Sequence, residues 1–322
     1  MSVYGPPSAF LLVGGRNISS DTFVLDETLE NLFEETHGLG DSWEEQLPVG
    51  IGRILLEATG GIYNDATDRI VDALQEKGET KQLVAYGFSG PTEDKDVVLL
   101  DGTYAATWKR MASRTGLTKA HATHMINSQY RRGLIIHGLT AEGADGTSAA
   151  SVDLNNLNRP DYGITSSSVA SPTVITTDAA EHNLTTGDVV LIQNHAGATP
   201  ALNGGNGYPV TVTGLNTFTI VENVTVGGTG GTYKVVSLRG AEGHLHIPAI
   251  TLGGWTDVVV TIEDSADDAT FANYITFAGA SAVGAEKVIE ATVCNRFLQI
   301  TWTWTGAGSG ESVIPFVGIA ET

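Results

Sequence analysis

Apolar residues in this chain recur with the two-residue period of a strand almost everywhere and with the helical period almost nowhere, which restricts the fold to β architectures. Residues 119–124 and 134–137 alternate in this way, and the run Val97-Val98-Leu99-Leu100 reads as a further strand closed by a turn at Asp101-Gly102. The C-terminal third repeats the pattern over 243–250, 257–263, 271–277, 288–293, 297–304 and 312–319, with Gly, Ala and Asp between the runs. A single stretch, 65–77, has helical spacing: Asp65 can cap it, Ile70, Val71 and Leu74 form an apolar stripe, and Gly78 stops it. The fold class expected is therefore mainly β, an antiparallel β-sandwich with one flanking helix.

The middle of the chain has a different composition. Residues 165–238 hold 14 Thr and 10 Gly, no Trp, and five charged side chains, Asp178, Glu181, Asp188, Glu222 and Lys234. Short β runs at 173–177, 188–193, 208–212, 217–221 and 232–236 are spaced by turn residues, which suggests a small barrel or sandwich with its own core. A structureless connection of that length inside a domain is implausible. The expected organisation is a host domain over 1–164 and 239–322, interrupted by an inserted small β-barrel domain over 165–238.

Charge narrows the function. Seventeen Lys and Arg against 37 Asp and Glu give a formal charge of −20, and a surface of this sign repels polyphosphate, arguing against a protein that grips nucleic acid through basic side chains. It leaves room for one that stays near DNA without holding it. The charge is also unevenly placed. Between Arg16 and Arg53 there is no Lys or Arg, while Asp21, Asp26, Glu27, Glu30, Glu34, Glu35, Asp41, Glu44 and Glu45 are acidic. From 102 to 141 there is no Asp or Glu, but Lys109, Arg110, Arg114, Lys119, Arg131 and Arg132 are present. Each block can be a solvated face; the sharper reading is that the acidic segment of one subunit meets the basic segment of another. The one cysteine, Cys294, excludes an intramolecular disulfide and reads as a small buried residue in a strand over Glu290 to Trp304. No apolar run reaches the length of a membrane span, and the first residues lack the basic and apolar regions of a secretion signal, so synthesis and first use are expected in the cytosol.

The search for chemistry yields no active site, metal or cofactor. Leu12-Val13-Gly14-Gly15-Arg16 is too glycine-poor for a dinucleotide fingerprint, and no phosphate-cradling loop or nucleophile elbow occurs. His121 and His124 lack the glutamate of a zincin pair and, on a strand, would point to opposite faces. His244 and His246 share a strand face and could bind a metal, but no further ligand can be nominated, so surface or interface histidines are the expectation. Asp264-Ser265-Ala266-Asp267-Asp268 lacks the glycine and terminal glutamate of a calcium loop and reads as a turn between strands.

Thr28-Leu29-Glu30, then Gly40-Asp41-Ser42-Trp43-Glu44-Glu45-Gln46-Leu47-Pro48-Val49-Gly50, then Gly61-Ile62-Tyr63-Asn64-Asp65, resembles the major tail tube protein of long-tailed bacteriophages. So do Leu117-Thr118-Lys119-Ala120-His121-Ala122, Arg131-Arg132-Gly133-Leu134-Ile135, His244-Leu245-His246, Ile262-Glu263-Asp264-Ser265-Ala266-Asp267 and Arg296-Phe297-Leu298-Gln299-Ile300-Thr301-Trp302, in consistent order over 1–164 and 239–322. In the insert, Ala180-Glu181-His182-Asn183-Leu184-Thr185-Thr186-Gly187-Asp188-Val189-Val190, with Tyr208-Pro209-Val210-Thr211-Val212 and Thr217-Phe218-Thr219-Ile220, is similar to a small β-barrel module of phage structural proteins. That module is likened in fold to the first catalytic-cysteine half-domain of ubiquitin-activating enzymes; the insert has no reactive cysteine, and Thr-x-Gly-Asp-x-Val reads as a turn feeding a strand.

The resemblance implies a tail-tube sandwich whose copies form hexameric rings stacking into a hollow conduit for the genome. Tape measure, tail terminator and distal tail proteins would be partners, and DNA would pass without specific binding. The protein would reside in the virion tail after assembly in the host cytoplasm. Asp41, Trp43, Glu44 and Glu45 become candidate inter-subunit contacts on an arm, with Lys109, Arg110 and Arg114 as their counterparts, and the insert decorates the exterior. The alternative is another phage component, a head decoration or a baseplate adhesin whose inserted module binds host-surface glycans. An enzyme is disfavoured because no catalytic constellation survives.

Overall fold

The computed structural model describes residues 9–19, 22–36, 45–60, 82–111, 119–126, 130–179 and 181–322, with backbone alone considered for 22–36, 45–60, 102–111, 119–126 and 130. In chain order the strands are β1 (Phe10–Val13), β2 (Arg16–Asn17), β3 (Thr22–Thr36), β4 (Glu45–Gly60), β5 (Gln82–Gly87), β6 (Asp96–Met111), β7 (Lys119–Ile126), β8 (Tyr130–His137), β9 (Gly146–Thr147), β10 (Val152–Asp153) and β11 (Tyr162–Ser167). They continue as β12 (Thr173–Thr177), β13 (Val189–Gln193), β14 (Tyr208–Gly214), β15 (Thr217–Ile220), β16 (Thr232–Val235), β17 (Ala241–Thr251), β18 (Asp257–Ser265), β19 (Ala272–Thr276), β20 (Gly284–Glu290), β21 (Phe297–Thr305) and β22 (Ser312–Glu321). The helix expected over 65–77 lies outside the described residues. Among those that are described there is no α-helix, and none long and apolar enough to cross a membrane.

The fold is mainly β, an antiparallel sandwich carrying a closed small barrel. One large sheet runs β2-β1-β5-β6-β8-β22-β17-β20, with β7, β4 and β3 branching from β6. The second sheet runs β10-β21-β18-β19, and β9 adds to β21. Leu134, Ile136, Leu245, Val313 and Val317 of the large sheet pack against Val260, Ile262, Leu298, Ile300 and Trp302 of the second. The large sheet buries its other face too, around Phe10, Leu12, Val97, Leu99, Ile135 and Phe316. Burying each such side chain is worth about 1.5–3 kcal/mol. Burial on both faces explains the near-continuous apolar runs of β1 and the first part of β6, where alternation fades.

Two close approaches hold the large sheet in this curl. Gly14 and Gly15 form the tip of the β1–β2 hairpin with φ of 55° and 85°, and a Cβ on Gly15 would stand 2.0 Å from the Gly284 carbonyl oxygen. Only glycine lets the hairpin tip meet the start of β20. At Gly133 of β8 a Cβ would lie 1.8 Å from the Ile319 carbonyl oxygen of β22. Gly133→Ala must push the two central strands apart, and chemical denaturation should show a loss of about 1–3 kcal/mol.

Two sequence expectations are corrected. Asp101-Gly102 is not a turn: Val84 pairs with Leu100 and Gln82 with Thr103, so both residues face Leu83 as a bulge and β6 continues to Met111. Pairing with β7 from Thr103 onward outweighs the turn propensity of the dipeptide. The strand expected over 288–293 begins earlier, at Gly284, because its register on β17 runs from Gly284 opposite Ile247 to Glu290 opposite Ala241. It ends where Glu290 Oε1 accepts from the Thr292 amide. Cys294 is buried, as its composition suggested, but sits in an isolated bridge with Leu238 instead of a long strand. Burial, with Asp264 nearby, pushes its thiol well above the ordinary range, which makes it unreactive.

The turn expected over 264–268 falls at 266–270, because Asp264 and Ser265 still pair with Leu298 and Phe297 as the end of β18. Asp267 Oδ1 accepts from the Ala269 and Thr270 amides and from Ser265, and those bonds hold its carboxyl below the usual range.

Candidate assembly interface

The two longest strands that pair with each other, β3 with 15 residues and β4 with 16, form a hairpin joined through 37–44. β4 pairs next with β7, and β7 with the second half of β6, giving the antiparallel order β3-β4-β7-β6. At Thr103, β6 has β7 on one side and β5 on the other. Gln82, the first described residue of β5, stands opposite Thr103, so, among the described residues, 104–111 of β6 carry a ladder on one side only. Among the described residues β3 likewise pairs only with β4. Among the described residues the four-stranded extension therefore has two edges without a partner strand, each a row of backbone donors and acceptors that native proteins normally cover. Since its strands alternate in direction and are even in number, the β3 edge of one copy is antiparallel to the β6 edge of another. Joining them continues the same sheet.

The two edges differ in charge. β3 carries Asp26, Glu27, Glu30, Glu34 and Glu35 and no basic residue. The open part of β6 carries Lys109 and Arg110, opposite His121 and Ala120 of β7, and no acidic residue. Within one chain they lie three ladders apart, roughly 14 Å, so the structure does not bring these blocks together. Glu45 is the first residue of β4, opposite Thr36. Asp41, Trp43, Glu44 and Arg114 lie outside the described residues.

Strands β11-β12-β15-β14-β13-β16 close into a barrel around Ile175, Val190, Ile192, Phe218 and Tyr233. The Thr-x-Gly-Asp motif behaves as read: Gly187 has φ 102°, Asp188 Oδ2 accepts from the Thr185 amide, and β13 starts at the next residue. Sequence reasoning missed the arginines at the seam between barrel and sandwich. Arg239 donates through Nε and Nη2 to Asp188, at 3.1 and 2.9 Å, and through Nη2 to the Asn183 carbonyl. Asp188 is 1% exposed, and its hydrogen bonds raise the Arg239 pKa. Arg159 donates to the Ser237 carbonyl and pairs with Glu321 at 2.7 Å; Arg296 pairs with Asp153 at 2.6 Å and donates to the Gly205 carbonyl. The signal was present in sequence, since Arg159 and Arg239 flank the low-charge segment on its two sides.

His244 and His246 are fully buried, which corrects their expected surface position. β17 is covered on both flanks by β20 and β22, and the rings stack with centroids 6.5 Å apart beside Phe316. His244 Nε2 donates to Glu242 Oε1 at 2.6 Å, whereas neither nitrogen of His246 has a hydrogen-bond partner. Among the described residues no group of three or more His, Cys, Asp or Glu is placed to hold a metal. Burial, with His244 beside it, lowers the His246 pKa from 6.5 to about 3. The folded chain therefore keeps His246 neutral while the unfolded chain protonates it below pH 6.5. This contribution to stability is full above 6.5 and is lost as pH falls toward 3. Equilibrium unfolding at pH 7 and pH 5 should show a loss of about 2 kcal/mol that His246→Leu removes.

No protein-family model matches the chain, and no curated protein does. Several solved structures are similar at low level, among them the following three. A chain of the virion of a native gene transfer agent particle is 14% identical, with 37% of this chain and 92% of that one covered and a TM-score of 0.29. A chain of the sheath-tube complex of an extracellular contractile injection system in its extended state is 13% identical, with 42% and 91% covered and a TM-score of 0.30. The Dit protein of phage SPP1, described as a hub of the adsorption apparatus in phages infecting Gram-positive hosts, is 8% identical, with 97% and 98% covered and a TM-score of 0.30.

Proposed function

We propose that the chain is a tail-tube-type virion subunit that polymerises by joining the acidic open edge of β3 to the basic open edge of β6 in the next copy. The observation that carries this reading is the pair of complementary open edges on one antiparallel extension. A heterologous contact that closes by rotation makes a ring, and six copies of four strands would line it with a continuous β wall. Full closure is also the arrangement that removes both edges. Rings stacked along the axis make a conduit for the genome. The tape measure, terminator and distal tail proteins would meet the tube at its interior and two ends. With a net charge of −20, carboxylates facing the channel would repel the DNA phosphates across a range of about one 8 Å Debye length, so the genome slides without sticking.

The barrel β11–β16 is the exterior element in this reading, and the sandwich over 1–164 and 239–322 is the tube wall. Deletion of 166–237 with a short linker tests that assignment: tubes that persist under the electron microscope agree with a decoration, and their loss makes the barrel part of the lattice. Asp41, Trp43, Glu44, Glu45 and Arg114 belong to the same joint, with Trp43 as the apolar anchor; Trp43→Ala should leave a folded monomer that does not polymerise.

A further inference from the structure

Lys287 of β20 stands opposite His244 of β17, and its ammonium is in direct contact with the carboxylate of Asp101 at the β6 bulge, 186 residues away. A third group completes the constellation. Glu242 Oε2 lies 3.7 Å from the same Nζ, and the Glu242 side chain is 5% exposed. Its position is fixed by His244 on Oε1 and by the Arg131 guanidinium at 3.4 Å on Oε2. The Lys287 and Asp101 side chains are themselves mostly shielded, at 23% and 30% exposure. An amine and a carboxyl group held in contact next to a buried carboxylate have what an amide-forming step requires: an effective concentration far above any in solution, and a proton carrier within reach.

We propose that Lys287 and Asp101 are joined by a side-chain amide that the chain forms itself, with Glu242 as the proton shuttle. Glu242 takes a proton from the Lys287 ammonium and passes it to the Asp101 carboxylate, leaving a neutral amine and a neutral carboxyl group. The Nζ lone pair attacks Cγ, and the N–Cγ bond forms. A second proton leaves the nitrogen through Glu242 to the departing hydroxyl, the Cγ–O bond breaks, and water leaves. The ammonium loses two hydrogens and the carboxylate one oxygen, so atoms and charge balance with no oxidant, reductant or cofactor. The bond ties β20, the terminal strand of the large sheet's main path, to β6, the strand that continues into the open extension. It stands independently of the assembly reading.

Denatured intact-mass spectrometry of the purified full-length protein tests it. The expected mass is one water below that of the sequence, and a protease digest should contain a branched peptide joining the segments around 101 and 287. Asp101→Asn should form the same branch with loss of ammonia in place of water. Lys287→Arg should return its full sequence mass, and Glu242→Gln should leave most molecules unlinked. Since the readout is taken on denatured chains, a variant that folds poorly still reports. A wild-type mass equal to that of the sequence, with no branched peptide, overturns the proposal and leaves Lys287 and Asp101 as an ion pair only.

Discussion

Lys109→Glu combined with Arg110→Glu should abolish polymerisation while leaving the subunit folded. In the proposed joint the open edge of β6 meets β3, whose Asp26, Glu27, Glu30, Glu34 and Glu35 would then face two further carboxylates. Like charges juxtaposed at an interface cost several kcal/mol, and the penalty recurs at every joint of a ring. An affinity loss of at least ~100-fold is expected on that ground. Sedimentation velocity would report monomers where the parent forms large species. Adding Glu27→Lys, Glu30→Lys, Glu34→Lys and Glu35→Lys should restore assembly, because β3 is then basic and the edges are complementary again with their signs exchanged. Restoration separates a broken joint from a misfolded subunit. Raising the salt should weaken the parent joint and relieve the repulsion in the variant with only Lys109 and Arg110 reversed.

Arg239→Ala should loosen the seam between barrel and sandwich at the start of β13. Asp188, 1% exposed, would keep its bonds to the Thr185 amide but lose its cation. A charge left uncompensated in a buried site is strongly destabilising. Arg239 itself is about half exposed, which moderates the effect to roughly 2–3 kcal/mol. The loss should be local, because Arg159 and Arg296 hold other parts of the seam. Hydrogen exchange is therefore expected to rise in β13 and in the turn before it, with β17 and β22 unaffected. Arg239→Lys should recover only part of the loss, since one ammonium cannot replace the Nε and Nη2 bonds to a single carboxylate. Uniform exchange across both units would contradict a local seam.

The period-two pattern made much of the sandwich and part of the barrel legible. β12 lies where its alternation placed it, and β17, β18, β21 and β22 extend the expected runs by a few residues at their ends. The misses have physical causes. Asp101-Gly102 has the composition of a turn, but the ladder with β7 keeps the chain extended and turns the dipeptide into a bulge. His244 and His246 read as surface or interface residues because no further metal ligand could be nominated beside them, and the large sheet's second buried face explains their burial. The partners at the seam are 51 to 162 residues apart, as in Arg239 with Asp188 and Arg159 with Glu321, so no local pattern announces them. The acidic and basic blocks were visible as charge runs. Their placement on opposite open edges depends on strand order, which the sequence does not spell out.

The central claim is that one copy's β3 edge continues the sheet from the next copy's β6 edge. Cryo-electron microscopy of the polymer formed by the purified protein reads this directly. The expected map is a hollow ring or tube whose wall is an unbroken antiparallel sheet, with β3 hydrogen-bonded to residues 104–111 of the neighbouring subunit and the barrel outside. A polymer joined through the barrel, or a wall in which β3 and β6 remain uncovered, would contradict it.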